Sequence, residues 1–173
     1  MLIRAATVSD SLGLAKVHVD TWKTAYRGIL PDSYLNGLAC DRSARGWEKT
    51  LASGAGNHVF LAEDDQGTVI GFSSGGPNRD TGTGFKAELY AIYILQDQQH
   101  RGTGKKLMRR LAEALSADGR DSLVTWALTD NAPARRFYEA KQGTVAGKRV
   151  IQIAGQSLEE VAYGWPDIQV LLR

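Results

Sequence analysis

The chain has 173 residues, of which 43% are hydrophobic and 23% charged, a composition typical of one soluble globular domain. Its formal net charge of +2 is too mild to indicate a nucleic-acid partner, and no dense Lys/Arg stripe with interleaved aromatics is present. The single cysteine, Cys40, excludes an intramolecular disulfide, and no stretch approaches the ~20 apolar residues of a membrane span. The N-terminal residues lack the features of a secretory signal, so we expect one domain over residues 1–173 in the cytoplasm.

The first quarter of the chain is predicted to form one short strand and two helices. Residues 2–5 are apolar enough for a strand, and Thr7 or Ser9 suits a helix cap. The apolar face of this first helix is formed, at helical spacing, by Leu12, Ala15, Val19 and Trp22. Residues 28–32 contain the Gly and Pro that end it, and residues 41–53 are typical of a second, more polar helix.

The middle of the chain is predicted to be mostly strands. Residues 58–63 and 68–73 form a hairpin, because residues 64–67 have the composition of a turn. Residues 74–84 are rich in Gly, Asn, Asp and Thr and are therefore predicted to be a loop. The run from residue 85 to residue 94 indicates a strong strand.

The second half is predicted to alternate helices with strands. Residues 103–117 form a helix whose inward face consists of Leu107, Leu111, Ala114 and Leu115. Residues 122–128 form a strand, and a short helix follows Asn131. Two alternating runs, residues 149–153 and 160–165, end the chain as strands. The order β-α-α-β-β-β-α-β-α-β-β predicts a mixed α/β domain with a largely antiparallel sheet.

The segment Gln99-His100-Arg101-Gly102-Thr103-Gly104-Lys105 lies between the strongest strand and the strongest helix. Its two glycines allow a ligand to approach the backbone closely. The first turn of the following helix has free N–H groups and the positive end of the helix dipole, which together suit a phosphate. Arg101 and Lys105 add positive charge. We therefore expect an anion site here, and a plain helix-start loop is the alternative.

The spacing of the glycines in this loop excludes two common phosphate-binding motifs. A Walker A loop does not fit, because the glycines are too close together and Lys105 is followed by Lys106. A dinucleotide fingerprint does not fit either, because Leu107 stands where a third Gly or Ala is required. The pattern that matches is Q/R-x-x-G-x-G/A, formed by Gln99, Gly102 and Gly104.

With these residues, the chain resembles the GNAT superfamily of acetyl-CoA-dependent N-acetyltransferases. Residues 89–94 are similar to the family's fourth strand, and residues 131–139 (NAPARRFYE) are similar to its second CoA-contacting motif. The early W-x-x-x-Y-x-G-I-L-P run, residues 22–31, is similar to the acceptor-side helix and loop of many small members. The resemblance implies a GNAT-type mixed, largely antiparallel twisted sheet of about seven strands flanked by about four helices.

The resemblance also implies the roles of particular residues. Acetyl-CoA is the acetyl donor, with no metal required, and Tyr138 is the general acid aimed at its sulfur. Backbone N–H groups near Ile92 and Ile94 polarise the acetyl carbonyl and bind the pantetheine arm, and Asn131 binds the pantetheine amides. The expected cofactor-binding residues are Ile92, Ile94, Gln99, His100, Arg101, Gly102, Thr103, Gly104, Lys105, Asn131, Arg135 and Tyr138. Glu88 is expected to receive the amine proton through water, and Trp22 and Tyr26 to line the acceptor pocket.

Less specific interpretations of these side chains remain open. Tyr138 also suits a half-buried helix aromatic, Glu88 suits an ion pair with a nearby Lys or Arg, and Trp22 with Tyr26 suits a helix face in the core. The expected reaction is direct attack of a primary amine of a small molecule on acetyl-CoA in a ternary complex. A protein N-terminal or lysine acetyltransferase, or a non-catalytic CoA sensor on the same fold, are the alternatives.

Other features of the sequence bear on a hydrolase site, a metal site, a cysteine nucleophile and a dimer contact. Residues 71–75 match the hydrolase pattern G-x-S-x-G, but the Gly and Pro that follow do not suit the helix that a nucleophile elbow requires. The histidines share no metal-ligand spacing with Cys40. Cys40 has no adjacent His or helix N-terminus, so we expect a small buried or loop residue. Tyr163 and Trp165 lie on one face of a late strand and would suit a homodimer contact.

Overall fold

One twisted sheet organises the computed structural model, which describes residues 1–54 and 56–173. Its strands are β1 (Leu2–Ala5), β2 (His58–Glu63), β3 (Val69–Pro77), β4 (Ala87–Ile94), β5 (Leu123–Leu128), β6 (Thr144–Ile153) and β7 (Gln156–Trp165). They lie in the order β1-β2-β3-β4-β5-β7-β6. Every neighbouring pair is antiparallel except β4 and β5, which are parallel. The predicted mixed, largely antiparallel sheet of seven strands is confirmed.

Helices cover both faces of this sheet. They are α1 (Ser11–Ala25), α2 (Asp32–Asn36), α3 (Cys40–Ser53), α4 (Thr103–Ala117) and α5 (Ala132–Ala140). The first and third pack on one face, while α4 and α5 pack on the other. The described residues thus contain five helices where four are predicted from sequence. The extra helix, α2, is too short to show a helical period. None of the helices in this described part is long and apolar enough to cross a membrane.

The buried face of α1 differs from the predicted one. Leu12 is 63% exposed, whereas Leu14 and Val17 are buried against β2 and β3. At 3.6 residues per turn, residues that are two positions apart in a helix lie about 200° apart around its axis. Leu12 and Leu14 therefore face opposite sides of α1. The core side of α1 is therefore set by Leu14, and the prediction that Leu12 belongs to it is wrong.

The glycine-rich segment after residue 73 is strand, not loop. The third strand continues to Pro77 and pairs with β4. A Cβ on Gly75 would lie 2.7 Å from the carbonyl oxygen of Glu88 and 2.9 Å from Leu111 of α4. Only a residue without a side chain fits so close to a neighbouring strand and helix. The prediction of a loop at residues 74–77 is wrong because these glycines permit close packing.

Tyr163 and Trp165 belong to the interior of the domain. They are 0% and 1% exposed and lie beneath α5. The indole nitrogen of Trp165 donates a hydrogen bond of 2.7 Å to the carbonyl oxygen of Lys141. Buried side chains cannot form a contact with a second copy, so the prediction that these two residues form a homodimer contact is wrong.

Candidate active site

The two parallel strands separate part of the way along their length. Strands β4 and β5 pair only through residues 87–89 and 123–125. Beyond that point β4 contains a β-bulge. Ala91 pairs with Ser74 and Leu89 pairs with Gly75, so Tyr90 has no partner residue in β3. A bulge bends the strand that contains it. The result is a wedge-shaped opening between residues 90–94 and 126–128, called the fork below.

Backbone groups of β4 line one side of the fork. The N–H of Leu95, directly after β4, donates a 3.0 Å hydrogen bond to the carbonyl oxygen of Ile70 in β3. This bond therefore points away from the fork. Because backbone groups of alternate residues in a strand point to opposite sides, those of Ile92 and Ile94 point toward the fork. Their side chains pack in the core under α4. The fork therefore presents fixed N–H donors at the two predicted positions.

The predicted anion loop follows β4 directly. His100 and Gly102 adopt left-handed backbone conformations, with φ of 60° and 82°. Alternating conformations of this kind turn successive N–H groups inward to form an anion-binding concavity. Gly102 is also the N-cap of α4, and no side chain among the described residues caps this helix end. The first-turn N–H groups of α4 are therefore available to an anion.

Other side chains of this loop hold its shape. The Gln99 amide nitrogen donates a 3.0 Å hydrogen bond to the carbonyl oxygen of Ile94, and Arg101 donates one of 3.0 Å to the carbonyl oxygen of Asp97. The Thr103 hydroxyl lies 3.3 Å from the sulfur of Met1. Lys105 remains exposed in the first turn of α4.

Gly102 and Gly104 serve different purposes. A Cβ on Gly104 would lie 3.1 Å from both Ile94 and Phe137, whereas the space beside Gly102 is open. Gly104 is therefore required for contact between α4, β4 and α5. The expectation that both glycines open the backbone to a ligand stays a prediction.

Tyr138 of α5 lies at the base of the fork. It is 6% exposed, and its ring packs against Tyr163 and Trp165. Burial raises its pKa well above the ordinary value, and an interaction with the Thr125 hydroxyl opposes part of that rise. The phenol is therefore protonated near neutral pH, which is the form that a general acid needs.

Aromatic side chains at the C-terminal end of α1 cover the other face of the fork. Trp22 and Tyr26 meet edge to face with ring centroids 4.8 Å apart. Burial raises the pKa of Tyr26, and interactions with Tyr93 and Asn131 oppose the rise. The indole nitrogen of Trp22 is buried without a hydrogen-bond partner in the described part of the chain. Helix α1 thus brings polar aromatic groups to the place where an acceptor would approach.

The two predicted cofactor contacts of α5 lie in different surroundings. Asn131 is buried and caps α5, since its side-chain oxygen accepts a 3.3 Å hydrogen bond from the N–H of Ala134. The Arg135 guanidinium donates to the Tyr163 hydroxyl at 3.1 Å and to the Thr129 carbonyl at 3.0 Å. These bonds hold Arg135 toward β7 and away from α4. The structure therefore does not bring Arg135 together with the anion loop.

Glu88 is paired, as the simpler interpretation of this residue predicts. It is 3% exposed, and the Arg79 backbone N–H and Nε each donate a 3.0 Å hydrogen bond to its Oε2. The guanidinium of Arg79 also stacks 4.1 Å from the ring centre of Tyr90 at the bulge. Sequence reasoning missed Arg79, because it lies in the segment predicted to be a loop and no local pattern connects it to Glu88.

A second arginine–glutamate pair lies on the same face of the sheet. Arg149 of β6 donates a 2.7 Å hydrogen bond to Glu160 of β7, and its guanidinium lies 4.0 Å from the ring centre of Trp126. Glu160 is close enough to affect the pKa values of both Tyr26 and Arg79. This pair was also missed, because its partners come from different strands.

The remaining candidates give no alternative chemistry. Ser73 is fully buried within β3, where its hydroxyl donates a 3.2 Å hydrogen bond to the Leu107 carbonyl, so it does not form a nucleophile elbow. Cys40 is half-buried and begins α3, which corrects the expectation that it lies away from a helix N-terminus. Among the described residues, no group of three or more His, Cys, Asp or Glu side chains is placed to hold a metal ion.

Comparison of the sequence with known proteins gives matches over most of the chain. Residues 22–144 match the profile of the acetyltransferase (GNAT) family. An uncharacterized N-acetyltransferase, YuaI of Bacillus subtilis (strain 168), is 39% identical over 169 residues, which are 98% of this chain and 95% of the relative.

Solved structures with the same fold include two with bound cofactor. The PaiA N-acetyltransferase from Thermoplasma acidophilum, in complex with coenzyme A, superposes with a TM-score of 0.72 at 21% identity, covering 92% of this chain and 96% of that one. The structure of yncA from Salmonella typhimurium with acetyl-CoA gives a TM-score of 0.70 at 21% identity, covering 95% and 92% of the two chains.

Proposed function

Because the chain belongs to the acetyltransferase (GNAT) family, we propose that it moves the acetyl group of acetyl-CoA to a primary amine of a small molecule. It is an acyltransferase that depends on acetyl-CoA. The observation that carries the proposal is the fork, whose strand β4 offers backbone donors and leads into the anion loop, with the protonated phenol of Tyr138 at its base.

The donor is proposed to bind along β4. The loop at residues 99–104 and the start of α4 would hold the pyrophosphate, since both present N–H groups to an anion. The backbone of Ile92 and Ile94 would pair with the pantetheine arm and polarise the thioester carbonyl. In this arrangement the sulfur lies near Tyr138, at the base of the fork.

The chemistry follows from what these groups offer. The deprotonated amine attacks the thioester carbon, a C–N bond forms, and the C–S bond then breaks. The ammonium form of the acceptor first loses one proton through water to Glu88, the buried carboxylate on the acceptor side of the fork. Tyr138, which burial keeps protonated until that moment, gives its proton to the departing thiolate. The second proton of the nitrogen, released once the C–N bond has formed, returns through water to the Tyr138 phenolate.

Arg79 affects what Glu88 does in this scheme. With two hydrogen bonds of 3.0 Å from Arg79, the carboxylate is held in place beside the bulge of β4. We propose that Glu88 first attracts the ammonium form of the acceptor and then accepts its proton through water. Trp22 and Tyr26 are proposed to form the wall against which the acceptor lies.

Thiol release from acetyl-CoA, measured with a panel of amines, tests the function. The panel contains amino acids, polyamines, amino sugars, and peptides with a free N-terminus or an internal lysine. We expect turnover with at least one small amine and initial-rate lines that intersect, as direct attack in a ternary complex requires. Turnover with peptides alone would make the enzyme a protein acetyltransferase. CoA binding without turnover would make it a sensor.

A further inference from the structure

A basic cavity lies outside the fork, on the α4 and α5 side of the sheet. It measures about 120 Å³ and lies between α4, the end of α5 and the C-terminal 3-10 turn Ile168–Leu172. Its cationic lining residues come from three separate segments: Lys105, Arg109, Lys141 and Arg173. None of the described side chains that line it is acidic.

The positive charge of this cavity is poorly balanced by its surroundings. Glu113 of α4 forms ion pairs with both Arg109 and Arg110, so a single carboxylate serves two arginines. Within the part of the chain that the structure describes, neither Lys105 nor Lys141 has an ion-pair partner. Cations gathered in this way create a positive potential that attracts an anion.

The cavity adjoins the proposed pyrophosphate site. Lys105 belongs to the first turn of α4, directly after the anion loop. Phe137 of α5 contacts Gly104 in the same turn, and the ammonium group of Lys141 lies 5.9 Å from the centre of the Phe137 ring. A ligand held by the loop would therefore need only a short extension past Phe137 to place a second anionic group in the cavity.

We infer that this cavity binds the ribose 3′-phosphate of CoA and so selects CoA over dephospho-CoA. The inference rests on the proposed function and assigns Arg109, Lys141 and Arg173 to recognition of the donor. A phosphomonoester is close to dianionic at neutral pH, and it has three acceptor oxygens, which suits donors from several segments. The adenosine end of CoA carries this group one ribose away from the pyrophosphate.

The test compares two donors, acetyl-CoA and acetyl-dephospho-CoA. We expect wild-type protein to prefer acetyl-CoA by about tenfold in kcat/KM, near the lower end for charge-assisted hydrogen bonds because the site is partly exposed. The double variant R109Q/K141Q should lose that preference, with little change in kcat/KM for acetyl-dephospho-CoA. Added salt should weaken the wild-type preference, because exposed charges are screened.

K106Q is the matched control. Lys106 has the same charge as Lys105 and lies beside it on α4, but it does not line the cavity. This variant should keep the wild-type preference. Calorimetry with CoA and dephospho-CoA gives the same comparison without turnover, so it separates this inference from the proposed function.

Three results would overturn the inference. Equal affinity of wild-type protein for CoA and dephospho-CoA would remove its basis. A preference that survives in R109Q/K141Q would place the 3′-phosphate elsewhere. If inorganic phosphate raises the melting temperature of the CoA-saturated wild-type protein, and the double variant abolishes that rise, the cavity serves free phosphate. Failure of acetyl transfer from both donors would instead count against the proposed function.

Discussion

The hydroxyl of Thr125 donates a 3.0 Å hydrogen bond to the carbonyl oxygen of Leu89, at the last position where β4 and β5 are paired. The same hydroxyl lowers the pKa of Tyr138 and so opposes the rise that burial causes. One buried side chain therefore joins the two strands at the base of the fork and affects the proposed acid. Its position connects the point where the strands separate with the place where the C–S bond would break.

Replacing Thr125 tests how much its hydrogen bond contributes to stability. T125V keeps the shape of the side chain but leaves the buried Leu89 carbonyl without its donor, which should lower the free energy of unfolding by about 1–3 kcal/mol. T125S retains the hydroxyl and should lose less. Urea denaturation measures both variants. Equal stability of T125V and the wild-type protein would show that the fork does not depend on this bond.

The ion pair between Glu88 and Arg79 gives a prediction for activity. E88Q removes the proton acceptor and should lower kcat/KM by about 10²–10⁴-fold. R79Q removes the guanidinium that holds the buried carboxylate in place, so it should also lower kcat/KM, and R79K should lower it less. Wild-type kcat/KM in R79Q would show that Glu88 does not depend on this ion pair for its role.

Substitutions of the two loop glycines should have different effects, G104A mainly on stability and G102A mainly on CoA binding. G104A places a methyl group 3.1 Å from Ile94 and Phe137, so it should destabilise the fold by about 1–3 kcal/mol, as overpacking does. G102A meets no neighbour, but its left-handed φ of 82° costs about 1–2 kcal/mol for a residue with a Cβ, and relaxation would disturb the anion loop. Calorimetry should show weaker CoA binding for G102A than its small loss of stability explains.

The buried position of His18 leads to a prediction of how the free energy of unfolding depends on pH. Its ring stacks on Tyr93 with centroids 5.6 Å apart and lies at the edges of Trp22, Trp47 and Phe72. The nearest polar group is the Ser43 hydroxyl, 3.3 Å from its Nδ1.

Burial lowers the pKa of His18 below 6.5, so the unfolded chain binds the proton more tightly than the folded one. Above about pH 7 both states are neutral and the group contributes no pH dependence. As the pH falls below 6.5, stability should fall with it. H18Q should flatten the curve of unfolding free energy between about pH 7 and about pH 5. An unchanged slope in H18Q would contradict this assignment.

Local patterns predict the parts of this molecule that local interactions determine. The apolar period of α4 and the Gln99-to-Gly104 loop are continuous in sequence, and both lie where they were expected. Pairs such as Arg79 with Glu88 and Arg149 with Glu160 depend on strand register, which no local pattern contains. The strand at Gly75 was predicted to be a loop for the same reason, because the close packing of Gly75 against Leu111 arises only in the folded sheet.

Tyr138 gives the most direct test of the proposed chemistry. With acetyl-CoA labelled in the acetyl group and the best acceptor from the amine panel, single-turnover mass spectrometry follows the appearance of labelled amide. Y138F removes only the hydroxyl and keeps the ring that packs on Trp165. We predict labelled amide from the wild-type protein and a rate about 10²-fold lower in Y138F, the lower end of general acid catalysis because a thiolate leaves readily. Equal single-turnover rates for the two proteins, or no labelled amide from the wild-type protein with any amine, would contradict this account.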